Sequence, residues 1–196
     1  MGTKRERKEK DGRKFYISDL HLFHGRLLDP TDAMLKGTMK VRNQFGDLDE
    51  MHELIRKNWN NTVSEIDMVY VLGDLGLYNA DKIARFMNGL NGRKILIMGN
   101  HDGKNIKNER LRACFEDVRY YDIIKDVNKD GDNVHVVLYH YPIEQWEGFY
   151  RGYYHIHGHT HGDSTLSKIG KRYEACVEVT NYTPRTLVEL EKGEIK

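Results

Sequence analysis

At 196 residues the chain is long enough for one domain with its own core and too short for two comfortable ones. Hydrophobic residues make up 39% and charged residues 31%, which excludes an intrinsically disordered chain, and no apolar run approaches the ~18–20 residues needed to cross a bilayer. A net charge of +1 gives no global pull toward a polyanion, although a local basic patch leaves nucleic acid open.

Positions 1–13 are rich in charge with no apolar stretch behind them, so they read as a flexible charged tail and not as a secretory signal. Positions 14–196 read as a single domain. Cys114 and Cys176 are too few for a disulfide scaffold or a thiolate zinc site and suit a reducing compartment; the expected location is cytoplasmic.

In chain order, Phe15-Tyr16-Ile17 reads as a strand and runs into Asp19-Leu20-His21. Leu48 to Trp59 carries Leu48, Met51, Leu54 and Ile55 at helical spacing. A second strand, Met68 to Leu72, runs into Gly73-Asp74. Asn79 to Met87 places Ile83, Phe86 and Met87 on one helical face. The third strand, Ile95 to Met98, runs into Gly99-Asn100-His101-Asp102. Val118 to Tyr139 reads as hairpin-like strands ending at His140, and Tyr153 to Ile156 leads to His157-Gly158-His159-Thr160-His161. Tyr173 to Thr180 is a further candidate strand. Thr183-Pro184 reads as a cap and first-turn proline before a short helix over Leu187 to Leu190. Strands alternating with helices, plus a hairpin, predict an α/β fold: a mixed β-sheet sandwich flanked by α-helices.

Five β-type runs each end in residues that bind metal or move protons. Ligands of open α/β sheets collect beyond the carboxyl ends of the strands, so the five segments are expected to converge on one rim. In an extended segment, residues i and i+2 project to the same side, which suits Asp19/His21 and His159/His161 to one centre. Carboxylates, an amide and imidazoles without thiolate favour a divalent transition metal over calcium or an iron–sulfur cluster, with Mn foremost and Fe, Zn or Ni as alternatives. Asp19, His21, Asp74, Asn100, His140, His159 and His161 exceed the needs of one ion; two ions sharing a carboxylate account for these seven.

This succession of blocks resembles the calcineurin-like metallophosphoesterase family, from about Phe15 to the end of the chain, and is most similar to its small single-domain bacterial and phage members. The resemblance implies that Asp19, His21 and His161 bind one metal, Asn100, His140 and His159 a second, and Asp74 bridges them. It further implies hydrolysis of a phosphodiester or phosphomonoester by a metal-bridging hydroxide, with His101 as a catalytic acid that binds no metal and Asp102 orienting it. The expected partner is a phosphorylated small molecule or nucleotide. A non-catalytic metal-binding scaffold of the same fold and a nuclease remain the competing readings, and oligomeric state is left open.

Other residues have plainer explanations beside the functional ones. His24, beside His21, is a candidate phosphate contact, as are Arg26, Arg42 and Arg151, although surface arginines are common. Tyr141, Trp146, Phe149, Tyr150, Tyr153 and Tyr154 are expected to pack on the sheet, with a wall for a flat leaving group as the functional alternative. His52, His135 and His155 match no ligand position, and His157 reads as a supporting residue.

Overall fold

A computed structural model describes residues 12–29, 31, 37–163 and 170–193 of the chain. Two four-stranded sheets form a sandwich. The first is all parallel in the order β1 (Lys14–Ile17), β2 (Met68–Val71), β3 (Arg93–Ile97), β4 (Asp117–Arg119). Helical segments supply the crossovers that parallel strands require: α1 (Leu48–Thr62) precedes β2, α2 (Ala80–Asn88) precedes β3, and the single turns α3 (Asp102–Asn105) and α4 (Glu109–Arg112) precede β4. After Tyr120 the chain enters the second sheet, β5 (Tyr121–Val127), β6 (Asn133–Tyr139), β7 (Tyr154–His157), β8 (Arg172–Glu174). There β5 and β6 are an antiparallel hairpin, while β7 and β8 add in parallel. Among the described residues, no helix is long and apolar enough to cross a membrane.

Period-two alternation divides the first sheet between two cores. Phe15, Ile17, Val69, Val71 and Leu96 face α1 and α2, where they meet Met51, Ile55, Trp59, Ile83, Phe86 and Met87. Tyr16, Tyr70, Leu72, Ile95 and Ile97 face the other way, onto Val136, Leu138, Tyr154 and Ile156 of the second sheet. Both major helices start at side-chain caps: Asp47 accepts from the Glu50 amide and Asn79 from the Lys82 amide.

Three expected elements differ. The hairpin predicted from Val118 begins at Tyr121, since Val118 pairs with Leu96 as part of β4. The strand predicted over Tyr173 to Thr180 ends at Glu174, because the chain leaves β8 to pair with the end of β1. Ser18 N–H donates to Ala175 O, Val177 N–H donates to Ser18 O, and the turn α5 (Val177–Thr180) follows. The last helix, α6 (Leu187–Lys192), is capped by Thr186 in a reciprocal capping box with Glu189, so Thr183 and Pro184 lie before the cap. The tail expected over 1–13 falls outside the described residues up to position 11. Arg13 itself is anchored, its amide donating to Asp67 Oδ1 at 2.6 Å.

Candidate metal centre

The expected ligands stand beyond the carboxyl ends of five strands: Asp19 and His21 after β1, Asp74 after β2, Asn100 after β3, His140 after β6, and His159 and His161 after β7. The local geometry is not the extended one inferred from the i, i+2 spacing. Asp19, His21, Asp74, His159 and His161 all have positive φ, between 46° and 73°. Such conformations cost non-glycine residues roughly 1–3 kcal/mol each and gather at functional sites. Backbone bonds hold the first three: Asp19 N–H donates to Gly73 O, His21 N–H to Asp74 O, and Leu22 N–H to Leu75 O. Alternating left-handed residues, rather than a pleat, bring Asp19 and His21 round to one centre.

Two glycines permit the close approach of these loops. A Cβ on Gly99 would lie 2.2 Å from Asp74 Oδ1, and one on Gly158 would lie 2.4 Å from Asp19 Oδ2.

The donor atoms converge at distances that suit a shared cation. Asp19 Oδ1 is 3.7 Å from His21 Nε2 and 3.5 Å from His161 Nε2. Asp74 Oδ2 is 3.8 Å from His21 Nε2 and 3.7 Å from His140 Nε2, so it faces both halves of the proposed ligand set. Asn100 Oδ1 is 3.0 Å from His140 Nε2. Ligands about 2.1 Å from an ion stand roughly 3–4 Å from one another. Buried polar atoms normally have partners, yet Asp19 Oδ1 and both ring nitrogens of His21 are buried with no hydrogen-bond partner among the described residues. The residues present fit divalent cations.

Surrounding groups aim these atoms. His140 Nδ1 lies 2.7 Å from Leu72 O; a carbonyl only accepts, so Nδ1 carries the proton and Nε2 is left to bind a metal. His161 Nδ1 lies 2.8 Å from Glu178 Oε1. Asp19 Oδ2 accepts from the His159 amide at 2.9 Å and from Cys176 Sγ at 3.0 Å, which turns Oδ1 to the centre. Asp74 Oδ1 accepts the His101 amide at 3.0 Å, leaving Oδ2 for the centre. Glu178 escaped sequence reasoning, which placed it on a strand. No spacing motif ties it to His161, 17 positions away.

Burial pushes the Asp19 carboxyl up, but the close imidazoles of His21 and His161 outweigh it and hold the group well below the carboxylate range. Burial dominates at Asp74, which is raised. Burial also lowers His21 to about 4, a neutral ring ready to ligate. At His161 burial opposes protonation, and the Glu178 hydrogen bond and charge outweigh it, so its pKa is raised.

The remaining predicted residues divide. His101 stands at the rim, its side chain 42% exposed and Nε2 3.9 Å from Asp74 Oδ2. Asp102 does not orient it: the Asp102 carboxylate is fully buried and accepts the amides of Asp74, Leu75 and Gly99. It organises the loops that carry Asp74 and Asn100, and no hydrogen bond among the described residues joins it to the His101 ring. His24 is half-buried, its ring 5.8 Å from that of His21, and Arg26 is exposed on the next 3-10 turn, Gly25–Leu28. Arg42 is not a phosphate contact, since its guanidinium is wholly buried on Glu178, Asp19 O and Leu20 O. Trp146 is no exposed wall: it is 5% exposed, donates Nε1–H to Tyr153 O and packs on Phe149 and His155. Arg151 is exposed, with its guanidinium carbon 5.3 Å from the Tyr153 ring centroid. His52 accepts the Phe23 amide, His135 stacks on Tyr153, and His157 Nδ1 lies 2.8 Å from Gly158 O, all supporting roles.

Comparison with known proteins identifies the family. A family model described as calcineurin-like phosphoesterase matches residues 15–117. An uncharacterized protein of Methanocaldococcus jannaschii is 32% identical, over 93% of this chain and 94% of its own length. The gene 66 protein of Mycobacterium phage L5 is 28% identical, over 79% of this chain and 80% of its own. A solved structure, a protein of unknown function from Aquifex aeolicus, superposes with a TM-score of 0.61 at 25% identity, over 92% of this chain and 98% of that one. The chain belongs to the calcineurin-like phosphoesterase family.

Proposed function

We propose that the chain is a metal-dependent phosphoesterase with a binuclear centre. The observation that carries this reading is the convergence of Asp19 Oδ1, Asp74 Oδ2 and the Nε2 atoms of His21, His140 and His161 at spacings too long for most hydrogen bonds and suited to shared cations. Asp19, His21 and His161 would hold one ion, Asn100, His140 and His159 a second, and Asp74 would serve both. Manganese is the foremost candidate, and iron, zinc or nickel also suit this thiolate-free set. Bound there, the ions would neutralise phosphate oxygens and acidify a water so that it is nucleophilic near neutral pH.

The chain's own residues supply the rest. The left-handed backbone at five ligands and the amides on Asp102 fix the donor positions before substrate arrives. His101, part exposed beside Asp74, is placed to give a proton to the departing alkoxide oxygen from Nε2. His24 and Arg26, on the turn after His21, are proposed to meet the outer phosphate oxygens.

The test is hydrolysis of paired chromogenic phosphomonoester and phosphodiester substrates with and without added Mn²⁺, repeated on Asp74→Asn. Metal-dependent turnover that collapses in the variant is expected. Equal background rates for both proteins would sink the enzyme reading in favour of a non-catalytic scaffold.

A further inference from the structure

Of the aromatic segment from Tyr141 to Tyr154, Tyr141 stands against the ligands. Tyr141 directly follows His140, and its ring centroid lies 5.0 Å from the His140 ring and 4.5 Å from the His159 ring. Tyr139 lies 5.6 Å farther along, and Tyr121 a further 6.2 Å. The row therefore leads from two metal-ligand candidates to β5, the edge strand of the second sheet. Tyr139 and Tyr141 are half-buried, Tyr121 is 39% exposed and the adjoining Tyr120 67%.

Sheet stability explains part of this row. Tyr121 and Tyr139 are direct cross-strand partners, and such pairs stabilise hairpins. It does not explain Tyr141, which lies past the end of β6 with its ring against the ligands. A row of part-exposed rings beginning at a phosphate centre suits a substrate whose phosphate and flat ring are separated by a short linker. An aryl phosphate, with the ring joined directly to the phosphate oxygen, would reach only Tyr141. A nucleotide places its base one sugar away from its phosphate, in reach of the row. Base–aromatic stacking tolerates any base, because every base has a π-face.

Resting on the phosphoesterase reading above, we propose that the substrate is a nucleotide or a nucleotide-containing ester, its base stacked on the Tyr141–Tyr139–Tyr121 row while its phosphate occupies the metal centre. Of the wall read from the sequence, Tyr141 is kept and Trp146 dropped, and the fold adds Tyr139 and Tyr121 in line with it.

The test uses two phosphonates that hydrolysis cannot cleave, a nucleoside 5′-phosphonate and the matching ribose 5-phosphonate without the base. Equilibrium dialysis against the full chain with Mn²⁺ gives the ratio of their affinities. The nucleoside form is expected to bind roughly 5- to 160-fold more tightly, the span that one stacked base supplies. Tyr141→Phe should keep that ratio and Tyr141→Leu should bring it toward one. If Tyr141→Leu fails to fold, Tyr121→Ser, at an exposed position, should still lower the ratio. A ratio of one in the wild type, no binding of either phosphonate, or a ratio untouched by folded Tyr141→Leu and Tyr121→Ser overturns the proposal. Metal-dependent hydrolysis that persists beside a ratio of one removes the nucleotide alone, whereas loss of metal-dependent hydrolysis removes the phosphoesterase reading itself.

Discussion

Arg42 and Glu178 form an ion pair with no solvent exposure, Nε donating to Oε1 at 2.6 Å. The same Oε1 is 2.8 Å from His161 Nδ1, and the other guanidinium nitrogens donate to Asp19 O at 2.6 Å and Leu20 O at 3.1 Å. The Arg42–Glu178 pair thus ties the backbone of Asp19 to the ring of His161, two of the three ligands proposed for one ion. Burial pushes the Glu178 carboxyl up, but Arg42 and His161 outweigh it and hold it ionised. Lysine offers a point charge in place of the planar fork, so Arg42→Lys breaks this geometry. The expected result is metal affinity weakened about 10- to 100-fold, as for other supports of metal ligands. A fold weakened by up to about 3–5 kcal/mol should accompany it, as when a buried pair loses a partner. Metal titration and urea unfolding of the metal-free variant measure the two effects. Wild-type values for both would sink the assignment.

His101 separates chemistry from metal binding. Its ring is part exposed, and no ligand role is assigned to it. His101→Asn should leave metal stoichiometry intact while lowering kcat by about 10²–10⁴-fold for a substrate with an alkoxide leaving group. The loss should shrink for a nitrophenolate, which departs without a proton. Equal losses on the two substrates would mean that His101 is no acid.

Gly99 and Gly103 make a matched pair in one short segment. A methyl on Gly99 would lie 2.2 Å from Asp74 Oδ1 and 2.9 Å from His140 Cε1, whereas nothing lies within 4 Å of one on Gly103. Gly99→Ala must therefore displace the residue proposed to serve both ions, costing about 1–3 kcal/mol or more and metal binding with it. Gly103→Ala, inside the turn α3, should be neutral or stabilising by up to about 1 kcal/mol. Thermal melts with a metal titration check both; similar behaviour of the two variants would contradict the packing argument.

The strand-then-ligand rhythm is legible in the sequence because β-propensity and ligand chemistry are both local, so Asp19, Asp74, Asn100 and His140 could be placed at strand ends. Their backbone is not legible. Left-handed φ at aspartate and histidine is imposed by bonds to a neighbouring loop, such as His21 N–H to Asp74 O, which no local pattern encodes. Glu178 is hidden for a related reason: the apolar alternation of Tyr173 to Thr180 reads as one strand, and only pairing of Ser18 with Cys176 breaks it into β8 and α5. At Trp146 the plain expectation of packing holds and the alternative of a stacking wall fails. A tryptophan between two ligand blocks looks available, yet its indole fills the space beneath Gly170 and bonds to Tyr153 O.

His155 carries a pH dependence that needs no metal. Its ring is fully buried under the 141–153 segment, with Nδ1 3.1 Å from Val137 O and Nε2 accepting the Ile143 amide at 3.2 Å. Burial, with His157 close by, lowers its pKa from 6.5 to about 3. As pH falls through 6.5, the unfolded chain takes up this proton and the folded chain does not. Stability is therefore lost from 6.5 downward, and this contribution stops growing only near 3. One such site approaches a slope of about 1.4 kcal/mol per pH unit. Gln cannot titrate, so His155→Gln removes this slope. It also disturbs the two buried hydrogen bonds at a cost of about 1–3 kcal/mol near pH 7.5. In urea unfolding of metal-free protein, the wild type should start more stable and the gap should narrow steadily from pH 6.5 to 5. His21 and His157, both lowered to about 4 by burial, bend both curves in the same direction and leave the difference to His155. Parallel curves across that interval would show that His155 is not held neutral in the fold.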